Sequence, residues 1–200
     1  MAFIGITSTV EIEPNEMVEV DVGKRAFFID RDGVINKSQI LNGVSKPPMD
    51  LDSLQLLDGV EQAIGILKGT GIVPVVITNQ PDVERGTQTR EAVDQINKKI
   101  EALTGITNFY VCYHNDASNC ECRKPKIGMI IRASADLGID IKRSFLIGDR
   151  WKDITTGQRA GVRESFFIDY AYSEKKPSQP YTLVKSLLEA SVRVTSEGYT

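Results

Sequence analysis

The chain reads as an α/β protein with a Rossmann-like, three-layer α/β/α architecture around a mainly parallel central sheet. Three observations predict this. Apolar runs such as Phe27-Phe28-Ile29, Ile72 to Thr78 and Phe145-Leu146-Ile147 have the near-continuous hydrophobicity of strands covered on both faces. Stretches of helical period alternate with such runs at least four times, a pattern met by right-handed crossovers between parallel strands. The runs also end in small polar clusters at 30–32, 78–79 and 149–153. In open parallel sheets the site lies beyond the carboxyl ends of the strands.

Two hundred residues with 41% hydrophobic content suit one domain with a substantial core. A net charge of −3 gives no global field toward nucleic acid or anionic lipid. No basic stripe interleaved with aromatics is present, and no apolar run reaches the length of a membrane span. The N-terminus lacks a secretory pattern, so the expected location is cytoplasmic, without membrane or nucleic-acid partners. The absence of a long apolar surface stripe favours a monomer. All three cysteines lie between residues 112 and 122, an odd cluster that suggests metal rather than disulfides in a reducing compartment.

Residues 1–24 alternate apolar and polar positions, as in an edge hairpin or extended arm. A strand over 25–29 then delivers Asp30 and Asp32 to a turn that Gly33 permits. Residues 36–57, with Asn42-Gly43 and Lys46-Pro47-Pro48, read as a loop across the mouth of the site, too short for a cap domain. A helix follows over 58–69, with Asp58 as its cap and Val60, Ala63, Ile64 and Leu67 on one face. Next come a strand at 72–78 and a helix from Thr89 that keeps Ala92, Val93, Ile96, Ile100 and Leu103 in period. Further strands are expected at 108–113, 144–148 and 164–168, and helices at 126–137 and 152–160. A last helix over 180–191 would pack Leu183, Val184, Leu187 and Leu188. The main domain then spans 25–192, followed by a tail at 193–200.

Asp30 and Asp32 carry the first chemical signal. Carboxylates this close repel and need a cation or a shared proton, and Mg²⁺ prefers such oxygen ligands. One carboxylate can attack a phosphate while its neighbour handles the leaving group's proton. An ordinary Asp-Gly turn is the plainer reading. A calcium loop fits poorly, because Leu41 stands at the twelfth position from Asp30. Thr78-Asn79 offers a hydroxyl and N–H groups to an oxyanion, or forms a helix cap or Asx turn. Lys124 stands just before a helix, where it can neutralise a phosphoryl group or remain a surface charge. Asp149 can complete a Mg²⁺ octahedron with Asp30, and Asp153 can hold metal-bound water or orient Lys124; either can instead cap a helix. Cys112-x-His114 and Cys120-x-Cys122 form a Cys₃His set typical of structural zinc, which would shape the loop delivering Arg123 and Lys124. Arg85 and Arg123 suit a second anionic group or sugar hydroxyls, with pairing to an acidic neighbour as the other reading.

In order and spacing this set resembles the haloacid-dehalogenase (HAD) superfamily of phosphatases, from about residue 25 to 190. Asp30-x-Asp32 is similar to its first motif, Thr78 to its second, Lys124 to its third and Gly148-Asp149-x-x-x-Asp153 to its fourth. The resemblance implies an aspartyl-phosphate on Asp30, with Asp32 as general acid and then base. It also implies that Thr78 and Lys124 hold phosphoryl oxygens. Mg²⁺ would be bound by Asp30, Asp149 and the backbone carbonyl of Asp32. Asp-Arg-Asp-Gly-Val-Ile-Asn together with Cys-x-Cys-Arg-Lys-Pro resembles the zinc-loop branch, subfamily IIIA. Members of that branch act on D-glycero-D-manno-heptose 1,7-bisphosphate or on histidinol phosphate. Thr78-Asn79-Gln80 with Arg85-Gly86 is similar to the heptose type, from which Pro81, Asp82 and Glu84 depart. The short interval from His114 to Cys120 resembles the histidinol type, while Trp151 and Lys46-Pro47-Pro48 fit neither. The expected partner is a small sugar phosphate, with the heptose 1,7-bisphosphate favoured. Histidinol phosphate is the alternative, ahead of a polynucleotide 3′-phosphatase or a non-catalytic phosphate-binding module.

Overall fold

A computed structural model describes residues 23–41 and 44–196. The expected arm at 1–24 lies almost wholly outside these residues. Lys24 is within them and is tied to residues 138–140: its N–H donates to Gly138 O, and its carbonyl accepts from Asp140 N–H.

The main sheet has six strands, all paired in parallel. β1 (Ala26–Ile29) lies in its interior, between β4 (Val73–Asn79) and β6 (Phe145–Gly148). β5 (Asn108–Cys112) extends one side; β7 (Glu164–Phe167) and β8 (Thr182–Leu183) extend the other. Among the described residues four helices cross over, α1 (Val60–Gly69), α2 (Arg90–Thr104), α3 (Gly128–Leu137) and α4 (Trp151–Ala160), and α5 (Leu187–Thr195) follows the last strand.

The pleat of β1 explains the layers. Phe27 and Ile29 point to one face and join Val60, Ile64 and Leu67 of α1, Ile96 of α2 and Leu187 of α5. Ala26 and Phe28 point to the other and join Met129, Ile130 and Ala133 of α3 and Ile154 of α4. Phe27, Phe145 and Phe166 meet with ring centroids 5.7–6.4 Å apart, so three neighbouring strands share one aromatic contact layer. The central strands that lead to the site are therefore closely packed against one another.

Four expectations need correction. Asp58 does not cap α1: Gly59 takes that position at φ 78°, without a side-chain cap bond. The loop at 36–57 contains a short antiparallel pair, β2 (Gln39–Leu41) with β3 (Val44–Lys46), on either side of residues 42–43. Residues 180–191 are not one helix. Thr182 and Leu183 instead pair with β7, leaving Leu183 58% exposed. Helix α5 starts after Ser186, whose hydroxyl accepts from Glu189 N–H while Glu189 accepts from Lys185 N–H. This local capping arrangement outcompetes a helix that would begin earlier. Finally, α5 runs to Thr195 and buries Val194, so the expected tail boundary at 193 is too early. Among the described residues, no helix is long and apolar enough to cross a membrane.

Candidate active site

Asp30 follows β1 directly, its N–H donating to Ile147 O. Its carboxylate accepts from Arg31 N–H at 2.7 Å and from Lys124 Nζ at 2.9 Å. Burial and then the nearby Asp153 charge push the Asp30 carboxyl up to about 7, against the pull of Lys124. Asp32 has different surroundings. Its oxygens accept from Asn36 Nδ2 at 3.0 Å, Gln80 Nε2 at 2.7 Å, and the Arg31 guanidinium at 3.1 Å. Arg31 is fully buried and also donates to Asn97 of α2, so this pin reaches into the helix layer.

Lys124 is 2% exposed, and its ammonium has three acceptors: Asp30 at 2.9 Å, Asp153 at 2.6 Å and Ile77 O at 2.9 Å. An ammonium has three N–H bonds, so its donors are all committed. The surrounding carboxylates outweigh burial and raise its pKa, which keeps it charged. Asn79 lines the cavity, but its amide is engaged with the Lys124 backbone: it accepts from Lys124 N–H and donates to Lys124 O. Thr78 is buried, accepts from Gln80 Nε2 at 2.8 Å, and is not part of the cavity wall.

Asp149 follows β6, and Asp153 lies in the first turn of α4. Asp153 accepts from Arg150 N–H at 3.0 Å with one oxygen and from Lys124 with the other. It therefore caps the helix and orients the lysine at once. Asp149 accepts from Tyr172 O–H at 2.8 Å through Oδ2, while its buried Oδ1 has no hydrogen-bond partner. Burial, followed by Asp30 and Asp153, raises the Asp149 pKa well above the usual carboxylate range. Two glycines make room for these acids. A Cβ on Gly33, at φ 88°, would lie 2.0 Å from Asp149 Oδ2, and one on Gly148 would lie 2.1 Å from Asp153 Cβ.

Oxygens of Asp30, Asp149 and Asp153 lie within 4.8 Å of one another; the Asp32 carboxylate is not in that group. An all-oxygen donor set with one orphaned buried carboxylate oxygen fits a hard divalent cation such as Mg²⁺. Cys112, at the end of β5, and His114, Cys120 and Cys122 form the second group. Their sulfurs are 3.2–3.7 Å apart, and His114 Nδ1 is 3.3 Å from Cys122 Sγ and 3.7 Å from Cys112 Sγ. All three cysteines are free of disulfides. Zn–S bonds of about 2.3 Å place tetrahedral sulfurs roughly 3.8 Å apart, so this set fits zinc with modest expansion.

A cavity of about 300 Å³ opens above the acids. It is lined by the expected Asp30, Asp32, Asn79, Arg85, Arg123, Lys124 and Asp153, and by Lys46 and Pro47 of the crossing segment. Sequence reasoning missed Asp116, Arg150 and Lys152 in its wall. Arg150 and Lys152 sit between Asp149 and Asp153, so their adjacency was the available signal. Tyr172 and Asp116 had no such signal, because their partners are distant in sequence. Arg85 pairs with Asp82 at 3.1 Å and Arg123 with Asp116 at 2.8 Å.

Known proteins resemble this chain in sequence and fold. The HAD-hydrolase-like family profile matches residues 121–190. A D-glycero-beta-D-manno-heptose-1,7-bisphosphate 7-phosphatase of Haemophilus ducreyi is 32% identical, covering 74% of this chain and 84% of its own. The alpha-heptose counterpart from Photorhabdus laumondii is 29% identical over 84% of this chain and 94% of its own. A solved D,D-heptose 1,7-bisphosphate phosphatase from B. bronchiseptica, complexed with magnesium and phosphate, superposes with a TM-score of 0.75. It is 22% identical and covers 87% of this chain and 99% of its own, a likeness of fold. With 84% of a phosphatase matched at 32% identity, the chain belongs to the HAD-like phosphatases, hydrolases of phosphoric monoesters.

Proposed function

We propose that the enzyme removes the 7-phosphate from D-glycero-D-manno-heptose 1,7-bisphosphate in the cytoplasm, where three unbridged thiols stay reduced. Asp30 is the nucleophile: one of its oxygens forms a bond to phosphorus as the bond from phosphorus to the sugar oxygen breaks. Asp32 gives its proton to that leaving oxygen. It then takes a proton from the water that attacks the aspartyl-phosphate, which releases phosphate and restores Asp30. Lys124 turns the N–H now given to Asp30 toward a phosphoryl oxygen, while its bonds to Asp153 and Ile77 O fix its position. Thr78 lies behind the cavity wall and reaches the site through Gln80, whose amide nitrogen donates to both Thr78 and Asp32, so a supporting place behind Asp32 is the better supported reading of it.

Asp30, Asp149 and the backbone carbonyl of Asp32 would hold Mg²⁺, which supplies positive charge against the phosphoryl oxygens. Both Asp153 oxygens are already engaged, so its orienting role toward Lys124 is the better supported of its two readings. Cys112, His114, Cys120 and Cys122 would hold Zn²⁺ with no ligand position left open, a structural clamp on the chain that carries Arg123 and Lys124.

The observation that carries the substrate reading is the charge of the cavity rim. Lys46, Arg85, Arg123, Arg150 and Lys152 line it against Asp82 and Asp116, once the deep acids and Lys124 are set aside, and of these cations Arg150 is also paired with Glu174 at 2.6 Å, so the excess of positive charge rests on the other four. Such a rim attracts a second phosphate and repels the ammonium group of histidinol phosphate. The short His114–Cys120 interval supports histidinol phosphate as the second reading. Phosphate release with Mg²⁺ separates them, using both heptose 1,7-bisphosphate anomers, histidinol phosphate and a 3′-phosphorylated oligonucleotide, with Asp30→Asn as blank. The expected outcome is preference for one heptose anomer. Preference for histidinol phosphate would overturn the substrate, and no turnover at all would favour a binding module.

A further inference from the structure

Five residues separate His114 from Cys120, and one of them, Asp116, reaches back into the cavity wall. Its side chain is 67% exposed, yet three cations converge on it. Arg123 grips both oxygens, Nε to Oδ1 at 2.8 Å and a terminal nitrogen to Oδ2 at 3.2 Å. Arg85 approaches Oδ2 at 3.7 Å, and Lys152 approaches Oδ1 at 3.7 Å. A planar fork flanked by two more cations is phosphate-recognition chemistry, and one carboxylate carries less charge than a phosphate dianion. The loop beneath Asp116 is anchored, because Glu84 accepts from Asn115 N–H and Ser118 Oγ. The Asp116 carboxylate itself is held only by these cations, among the described residues. It can rotate into solvent without breaking the loop.

We infer that Asp116 is a tethered stand-in for the second anionic group of the substrate. In the free enzyme it keeps Arg85, Arg123 and Lys152 gathered at one point. A bisphosphate displaces it with its distal phosphate, whereas a monophosphate leaves it seated. This rests on the bisphosphate reading above. Asp116 thereby sets the threshold an incoming anion must beat. The threshold is low, since exposed ion pairs contribute little.

The test is steady-state kinetics of the zinc-loaded wild type, Asp116→Asn and Lys152→Gln on heptose 1,7-bisphosphate and on heptose 7-phosphate. Asp116→Asn should lower KM for the bisphosphate about two- to five-fold. Its kcat and its KM for the monophosphate should stay unchanged. Lys152→Gln should raise KM for the bisphosphate alone. An equal shift for both substrates, or a higher bisphosphate KM in Asp116→Asn, would overturn the inference. A second arm uses p-nitrophenyl phosphate as reporter and fructose 1,6-bisphosphate and fructose 6-phosphate as competing inhibitors. If wild type hydrolyses neither heptose ester but Asp116→Asn still tightens the bisphosphate inhibitor selectively, the stand-in survives and the heptose reading falls. If heptose turnover is strong and the variant shows no such selectivity, the stand-in falls alone.

Discussion

The floor and the rim of the cavity are built differently, although they lie within one side-chain length of each other. On the floor, Lys124 and Asp153 are nearly inaccessible and every donor or acceptor they carry is engaged. On the rim, Asp116 and Arg85 are largely solvent-exposed and meet each other at 3.7 Å. A buried charge network has one arrangement, because each unpaired member would cost several kcal/mol. An exposed ion pair contributes about 0–1 kcal/mol and can be remade with another anion. On the proposed reading, the floor would fix what reaction occurs and the rim which ester is admitted.

The largest effect should come from the floor. Asp30→Asn should cut kcat by about 10⁴-fold or more, since it removes the proposed nucleophile. The substitution should leave the zinc content and the circular dichroism spectrum unchanged; residual turnover within tenfold of wild type would break the contrast at its root. Next is the element that serves both regions. Cys120→Ser should lose zinc, measured by atomic absorption, and lower the melting temperature, because metal-binding free energy is folding free energy. Both kcat and bisphosphate KM should worsen together, as the same loop carries Lys124 and Asp116.

Tyr172→Phe sharpens the contrast from beneath. Removing the hydroxyl that holds Asp149 Oδ2 should weaken Mg²⁺ about tenfold in a calorimetric titration, with substrate KM unchanged. The smallest effect concerns pH in the metal-free protein. The Asp30 carboxyl, raised from 3.8 to about 7, binds a proton more tightly folded than unfolded. Stability should therefore fall as pH rises from about 4 to about 7, and Asp149 acts in the same direction. Melting curves over that window should show the decline, and added Mg²⁺ should flatten it. No exposed rim acid should contribute such a slope.

Legibility followed the same division. The interior strands were readable because burial on both faces leaves continuous apolar runs, as in Val75, Val76 and Ile77. The Cys112–Cys122 cluster was readable because its residue types are themselves the chemistry. The start of α5 was missed because amphipathic spacing over 180–191 masked Ser186-x-x-Glu189, a shorter and stronger helix signal. Gly59 displaced Asp58 at α1 through a left-handed backbone position that periodicity does not reveal. Tyr172 reaches Asp149 across 23 residues, and Asp116 reaches Arg85 across a different loop. Contacts of that kind exist only once the sheet has aligned its strand ends.

The interval between His114 and Cys120 is a short loop pinned at both ends. Both of its ends belong to one set of thiol and imidazole groups, and residues 116–119 face solvent. Substitutions there can change which esters enter while Lys124, beyond the clamp, keeps its place. Ser118 anchors the loop to Glu84, and Asn119 stands at φ 45° and accepts from Lys126, so new substrate preferences would be sampled at Asp116 and Ala117 without re-solving the chemistry beneath them.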